Sequence, residues 1–252
     1  MMKKIIVNAD DFGINNVVTS EIERQMLLGN VSSTTVMANG ACLNEVKRFA
    51  NQHPEYSFGI HLCLSEFDSL TKSEGLKRVG IVGEDGRFVH KAIFKIKSFS
   101  DETVKAISEE LNAQFDVVSS LGFPISHADS HHHVHAIYPL RKLFADVLKK
   151  RGIGKVRLGG DFHSLRMKRH LILWLQRLNL NQFYKTQFNT TDAFYSYTDY
   201  ISGGQHREED TVELMCHPGH PNLQFRNEMK LVESKKAVKD KEIKLITYND
   251  LY

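Results

Sequence analysis

The chain has 252 residues, a length at which one hydrophobic core still serves a whole chain and which suits an α/β barrel. Hydrophobic residues make up 41% and charged residues 25%, the balance of an ordinary globular protein. The 33 basic and 30 acidic side chains leave a net charge of +3, too small to point to a nucleic-acid partner or a membrane surface.

The first segment carries Lys3 and Lys4 and then only Ile5, Ile6 and Val7 before two carboxylates. That is shorter than the roughly 7–15 apolar residues of a secretory signal. No run approaches the roughly 18 apolar residues of a membrane span. Cys42, Cys63 and Cys216 are odd in number, far apart and not in a C-x-x-C pair. They read as reduced core thiols of a cytoplasmic protein. Internal repeats, low-complexity tracts and Pro/Gly/Ser linkers are missing, so a single domain over 1–252 is expected.

In chain order, Lys3–Ala9 reads as a buried strand and about 15–28 as a helix. Ser33–Ala38 is a second strand, about 43–52 a second helix, and Phe58–Leu64 a third strand. The stretch 65–100 breaks the rhythm with Gly75, Gly80, Gly83 and the turn signal Asp85-Gly86, and reads as a surface insertion with a hairpin. Such insertions at strand ends often shape a substrate cleft. A helix follows at about 101–121, with Asp101 as its expected N-cap and Gly122-Phe123-Pro124 as its stop. Next come a strand at about 125–130, a helix at 138–151, a strand at Lys155–Leu158 and a helix at about 163–179. The region 180–210 gives no clear pattern. Val212–Cys216 is a late strand, about 226–238 a helix and Ile243–Thr247 a last strand. Near-continuous apolar strands alternating with helices predict a parallel sheet covered by helices, and about seven strands predict a deformed (β/α) barrel.

Chemistry-bearing residues fall at the ends of these strands. Asp10 and Asp11 end the first, His61 lies near the end of the third, His127, Asp129 and His131 lie in and beyond the fourth, and His217 follows Val212–Cys216. In parallel α/β barrels the active site gathers at the carboxyl ends of strands, so four strands deliver acidic or imidazole groups to one rim. Two adjacent carboxylates repel one another and do not shed water without a cation or a proton. The plain alternative is that one of them caps the following helix. His61, among apolar neighbours, is either a satisfied core histidine or a neutral metal ligand oriented by an acceptor behind it.

Five of the thirteen histidines lie between 127 and 135. In an extended backbone 127, 129 and 131 share one face. One cation cannot take all five imidazoles, so one or two ligands are expected, the rest orienting them or contacting substrate. His217, in Met215-Cys216-His217-Pro218-Gly219-His220, is either a core histidine or a general acid, because imidazole titrates near neutral pH. The basic run Arg166–His170 reads as a solvated helix face, and Tyr195, Tyr197 and Tyr200 as aromatic core. Gly203-Gly204 matches no phosphate-cradling fingerprint. The chain lacks G-x-G-x-x-G, G-x-x-x-x-G-K-[ST] and G-x-S-x-G, which argues against a dinucleotide enzyme, a P-loop enzyme and a serine hydrolase.

The segments VNADDFG (7–13), SSTTVMANG (32–40), GIHL (59–62), DSHHHVH (129–135) and MCHPG (215–219), in this order, resemble the YdjC-like family, which includes chitooligosaccharide deacetylases. The resemblance implies a deformed (β/α) barrel like that of other polysaccharide deacetylases. It also implies one divalent cation, magnesium by family precedent, and removal of an acetyl group from an N-acetylated sugar such as a chitooligosaccharide or its phosphorylated form. Carried over by position, Asp11, His61 and His131 bind the metal and Asp10 is the base. His127 is an alternative to His131 as ligand, and Asp129 is a ligand or orients one. Zinc, cobalt, manganese and iron also suit two imidazoles and a carboxylate. Two other readings stay open: a metal-dependent phosphoesterase or other hydrolase acting on a phosphosugar, and a non-catalytic sugar- or metal-binding protein. A homodimer is the default oligomer.

Overall fold

The computed structural model describes residues 2–96, 98–159, 171–203, 209–235, 237–238 and 242–252, with the side chains of 171–174 left aside. The strands are β1 (Lys3–Phe12), β2 (Ser33–Val36), β3 (Ser57–Leu62), β4 (Ala128–Ser130), β5 (Ala193–Ser196), β6 (Thr211–Cys216) and β7 (Ile243–Leu245). They form a seven-stranded sheet in the order β4-β3-β2-β1-β6-β5, with β7 beside the start of β1, and every ladder is parallel. The sheet curves into a half-barrel covered by helices. Among the described residues it continues beyond β4 only as isolated parallel bridges, Ala128 with Val156 and Lys155 with Asn189. The strand expected at Lys155–Leu158 is therefore reduced to a bridge, because partners flank it only at these points.

The helices follow from caps and apolar spacing. Helix α1 (Asn16–Leu27) starts where the Asn15 side chain accepts a hydrogen bond from the Val18 N–H at 3.0 Å. Its buried Val18, Ile22 and Met26 recur at i, i+4 and i+8 and face the sheet. Next come α2 (Leu43–Gln52), the short α3 (Glu74–Arg78) and α4 (Asp101–Ser119). The N-cap of α4 is Ser100, whose hydroxyl accepts from the Thr103 N–H, and Asp101 is the first helical residue. The expectation for Asp101 was thus one residue late, since a hydroxyl three residues before Thr103 fits the cap. Helix α5 (Arg141–Lys150) follows a 3₁₀ turn at Tyr138–Leu140. Helix α6 (Leu171–Lys185) reaches past the expected end at 179, and 160–170, with the basic run Arg166–His170, lie outside the described residues. The unassigned stretch holds β5 and α7 (Tyr197–Ser202), with Tyr195, Tyr197 and Tyr200 buried. Helix α8 spans Leu223–Glu233, starting earlier than expected because Asn222 caps it. Cys42, Cys63 and Cys216 are buried free thiols, and among the described residues no helix is long and apolar enough to cross a membrane.

The two faces of the sheet differ in chemistry. Ile5, Val7 and Ala9 of β1 join one large apolar core with Val18, Ile22, Phe49, Ile107, Phe115 and Phe144 from the helices. A smaller cluster of Ile6, Ile246, Tyr248 and Leu251 forms separately. Between them the inward residues are polar and buried, among them Asn8, Asp10, Ser33, Thr35, Ser57, His61, His127, Asp129, Arg157 and Glu213. Within 65–100, the turn at Gly83–Arg87 closes with Gly83 N–H on the Arg87 carbonyl, and antiparallel bridges join Asp68 to Arg87 and Val82 to Phe88.

Gly59 shows how tightly the interior is filled. A Cβ there meets the His127 ring at 2.6–2.8 Å, so the missing side chain is the space that this imidazole occupies. Gly59→Ala is expected to destabilise the fold by about 1–3 kcal/mol through overpacking. Gly154→Ala, where an added methyl meets nothing within 4 Å, is expected to stay within about 0.5 kcal/mol. Chemical denaturation of the two variants checks the contrast.

Candidate active site

Asp10 and Asp11 are consecutive, and an ordinary strand would send them to opposite faces. The β1–β2 register slips between Ala9 and Phe12, and Asp11 takes a left-handed φ of 71°. This bulge lets both carboxylates reach the same cavity. Each then meets a different partner. Asp10 receives two hydrogen bonds of 2.7 Å from the Arg157 guanidinium and a third, 2.9 Å, from Asn8 Nδ2. Asp11 is ringed by imidazoles: Oδ1 lies 2.9 Å from His131 Nδ1 and 3.2 Å from His61 Nε2, and Oδ2 lies 3.0 Å from His220 Nε2.

Burial alone would raise both carboxylic pKa values. For Asp10 the charge and hydrogen bonds of Arg157 overcome burial, helped by His61 and His217, and hold it well below the usual range. For Asp11 the hydrogen bonds of His131, His220 and His61 overcome burial in the same direction. Both are carboxylates at neutral pH.

His61 is fixed from behind: its Nδ1 lies 2.6 Å from Asp129 Oδ1, leaving Nε2 toward Asp11. Burial lowers its pKa, but the charge of Asp129 and the contacts with Asp11 raise it well above the ordinary value. Asp129 is itself held by Arg157 at 2.5 Å and by the Thr35 hydroxyl at 3.1 Å. β4 ends at Ser130, and His131 opens a 3₁₀ turn, His131–Ala136, in which His132 and His133 have φ of 52° and 56°. The alternation expected through 127, 129 and 131 therefore stops short of His131, yet the turn still swings its ring onto Asp11.

The donor atoms of Asp11, His61 and His131 lie within 4.8 Å of one another, and Asp10, His61 and Asp129 form a second such group. His127 belongs to neither. Its Nε2 meets Asn8 Oδ1 at 3.1 Å, its Nδ1 meets Ser126 Oγ at 2.8 Å, and its ring stacks on Tyr248 at 3.6 Å. Burial, with Arg157 nearby, pushes His127 well below the usual imidazole range, so the ring is neutral. His132 is pushed down to about 3 by burial and His131.

A cavity of about 600 Å³ opens over this floor, lined by Asp10, Asp11, His61, Glu66, Lys91, Phe94, His131, His132, His133, Met215, His217, His220 and Phe225. His217 stands on the wall formed by the end of β6 and by α8. Its backbone N–H donates to Glu228 Oε2 at 2.9 Å, its Nδ1 lies 3.3 Å from the same oxygen, and its ring stacks on Phe225. Burial lowers the His217 pKa, but Glu228 and the charges of Asp10 and Asp11 raise it above the ordinary value. Sequence reasoning passed over Arg157, Glu213, Glu228, His220 and Glu66. Arg157 and Glu213 left a signal, a charged residue inside an apolar strand run; Glu66 and Glu228 left none.

The chain matches the YdjC-like protein family over residues 4–250. It is 27% identical over 271 residues to a chitooligosaccharide deacetylase of Klebsiella pneumoniae (strain 342), covering all of both chains. It is 30% identical over 227 residues to a carbohydrate deacetylase of Vibrio campbellii (strain ATCC BAA-1116), covering 85% of this chain and 78% of the relative. Among solved structures, a candidate cellobiose-phosphate cleavage protein from Enterococcus faecalis V583 superposes with a TM-score of 0.75 at 23% identity, over 98% of each chain, and shares the fold. A family match across almost the whole length, on the barrel that carries these side chains, establishes that the chain belongs to the YdjC-like family.

Proposed function

We propose that this protein is a metal-dependent carbohydrate deacetylase, hydrolysing the acetamide of an N-acetylated sugar such as a chitooligosaccharide or its phosphorylated form. The names of the Klebsiella and Vibrio relatives support the activity. The observation that carries the reading is the division of labour between adjacent carboxylates, Asp10 on a guanidinium and Asp11 among imidazoles.

Asp11, His61 and His131 are the proposed holders of one divalent cation. Two imidazole nitrogens and a carboxylate oxygen within 4.8 Å fit such an ion. The carboxylate behind His61 is the support that metal-bound histidines usually have. When bound, the cation acts as a Lewis acid on the acetyl carbonyl and makes a water more acidic. Two imidazoles and a carboxylate suit zinc, cobalt, manganese or iron, while the family resemblance favours magnesium.

The protein's own groups do the rest. Asp10, kept ionised by Arg157, accepts the proton of the attacking water. Its two bonds to one rigid guanidinium hold the carboxylate in place, so little reorganisation accompanies the transfer. His217, kept protonated by Glu228 and the nearby carboxylates, gives its proton to the sugar nitrogen as the C–N bond breaks. Acetate and a free amino sugar leave. Lys91 and Phe94, from the 65–100 segment, and Phe225 supply wall for the sugar ring.

Incubation with N-acetylglucosamine, its 6-phosphate and diacetylchitobiose under several divalent metals is expected to release acetate and no phosphate. Phosphate release would move the reading to a phosphoesterase, and release of neither would sink both. Asp10→Asn is expected to keep the cation and lose about 10²–10⁴-fold in kcat, whereas Asp11→Asn loses tight binding at this site; metal analysis beside kinetics separates the two. Because Glu228 helps to raise the His217 pKa, and a general acid fails as pH rises through that pKa, Glu228→Gln is expected to move the alkaline limb of the kcat profile to lower pH. An unmoved limb removes His217 from the acid role.

A further inference from the structure

His131 uses its two ring nitrogens on two different sides. Nδ1 faces Asp11 at 2.9 Å, and Nε2 faces Glu66 Oε2 at 3.2 Å. The same Glu66 oxygen lies 3.9 Å from His132 Nε2, and the three donors lie within 4.8 Å of one another. Two ligands bound to zinc at about 2.1 Å and a tetrahedral angle stand about 3.4 Å apart, between these two spacings.

Resting on the proposed inner cation site, we infer that Glu66, His131 and His132 form a second, outer site for a transition-metal ion such as zinc, which competes with the inner site for His131. The outer donors are organised in advance. Ser65 Oγ meets His132 Nδ1 at 2.9 Å, fixing the ring so that Nε2 is the nitrogen turned to Glu66. The left-handed backbone of His132, φ 52°, uncommon for a non-glycine residue, sets the direction of this ring. The segment that carries Glu66 is clamped by α4. Gln114 bonds both the N–H and the carbonyl of Cys63, and Glu110 accepts from Ser69, Leu70 and Thr71. The side chains of His132 and Glu66 are 24% and 39% exposed, so an ion reaches them from solvent without opening the fold.

A neutral imidazole has one nitrogen lone pair to give. An ion that takes His131 through Nε2 in the outer site leaves the proton on Nδ1, which then donates to Asp11 and is lost to the inner cation; that cation keeps Asp11 and His61 alone, and a second ion inhibits.

Calorimetric titration of zinc ions into metal-stripped Asp11→Asn, which lacks the inner carboxylate, is expected to show one equivalent bound. Adding His132→Ala, or the volume-conserving Glu66→Gln, to that variant is expected to weaken this binding at least tenfold. No zinc uptake by Asp11→Asn, or equally tight uptake in both double variants, overturns the outer site. In the unsubstituted protein, zinc beyond the first equivalent is expected to suppress acetate release, and His132→Ala to raise the half-inhibiting zinc concentration at least tenfold; an unchanged value overturns the competition. If acetate is released under no metal condition, the deacetylase reading fails, while the titration still decides the outer site.

Discussion

The buried guanidinium of Arg157 is the point on which the barrel interior turns. It bonds both oxygens of Asp10 at 2.7 Å, Asp129 at 2.5 Å and Glu213 at 2.7 Å, and none of these side chains is more than 3% exposed. The four residues come from β1, β4, β6 and the bridge after α5, so one cation ties three strands and the segment beyond α5 together. Three carboxylates around one guanidinium do not balance, and the structure relieves the excess in two ways. Burial raises the Glu213 carboxyl to about 7 even though Arg157 opposes it, and the Tyr248 hydroxyl donates to that carboxyl. Asp129 shares its remaining charge with His61. Removing one partner of such a buried set typically costs about 3–5 kcal/mol, because the rest is left charged and unpaired. Fold and site are therefore the same object here.

A barrel with a polar lumen has to find its apolar stabilisation elsewhere. The outward residues of β1, Ile5, Val7 and Ala9, pack with the helices into the main cluster, while Ile6 joins the small plug around Tyr248. Between these layers Ser33 and Ser57 pair and receive the Tyr248 N–H, so buried polar atoms are satisfied along the strand starts. Alternation along each strand thus separates two jobs: one face holds the molecule together, the other carries charge to the cavity.

Much of this was readable from residues alone. Parallel α/β architecture followed from near-continuous apolar runs between amphipathic segments, and the segment matches implied the YdjC-like family and its barrel. The strand-end positions of Asp10, Asp11, His61, His131 and His217 brought them to one cavity. What escaped was geometry without a local pattern. The Asp11 bulge has no spacing signature. The 3₁₀ turn at His131 replaced an extended run, because β4 pairs with β3 for only three residues before the chain leaves the sheet. Glu66 and Glu228 meet histidines 65 and 11 residues away, from a loop and a helix whose own periodicity says nothing about those histidines. Arg157 stood in plain sight, a guanidinium between Val156 and Leu158, where burial demands several acidic partners.

The three imidazoles with carboxylates behind them are not equally well held. Asp129 supports His61 from a paired strand at 1% exposure, and Glu228 supports His217 from α8 at 3%. Glu66 supports His131 from a loop, 39% exposed, with its contact at 3.2 Å. Of the three supporting carboxylates, the one behind His131 is therefore the most exposed to solvent. The loop that carries Glu66 belongs to the same 65–100 segment that sends Lys91 and Phe94 into the cavity wall. This one segment therefore shapes the wall and helps to set one imidazole together. The strand-borne groups, Asp10, Asp11 and His61, stay where the Arg157 network and the bulge put them.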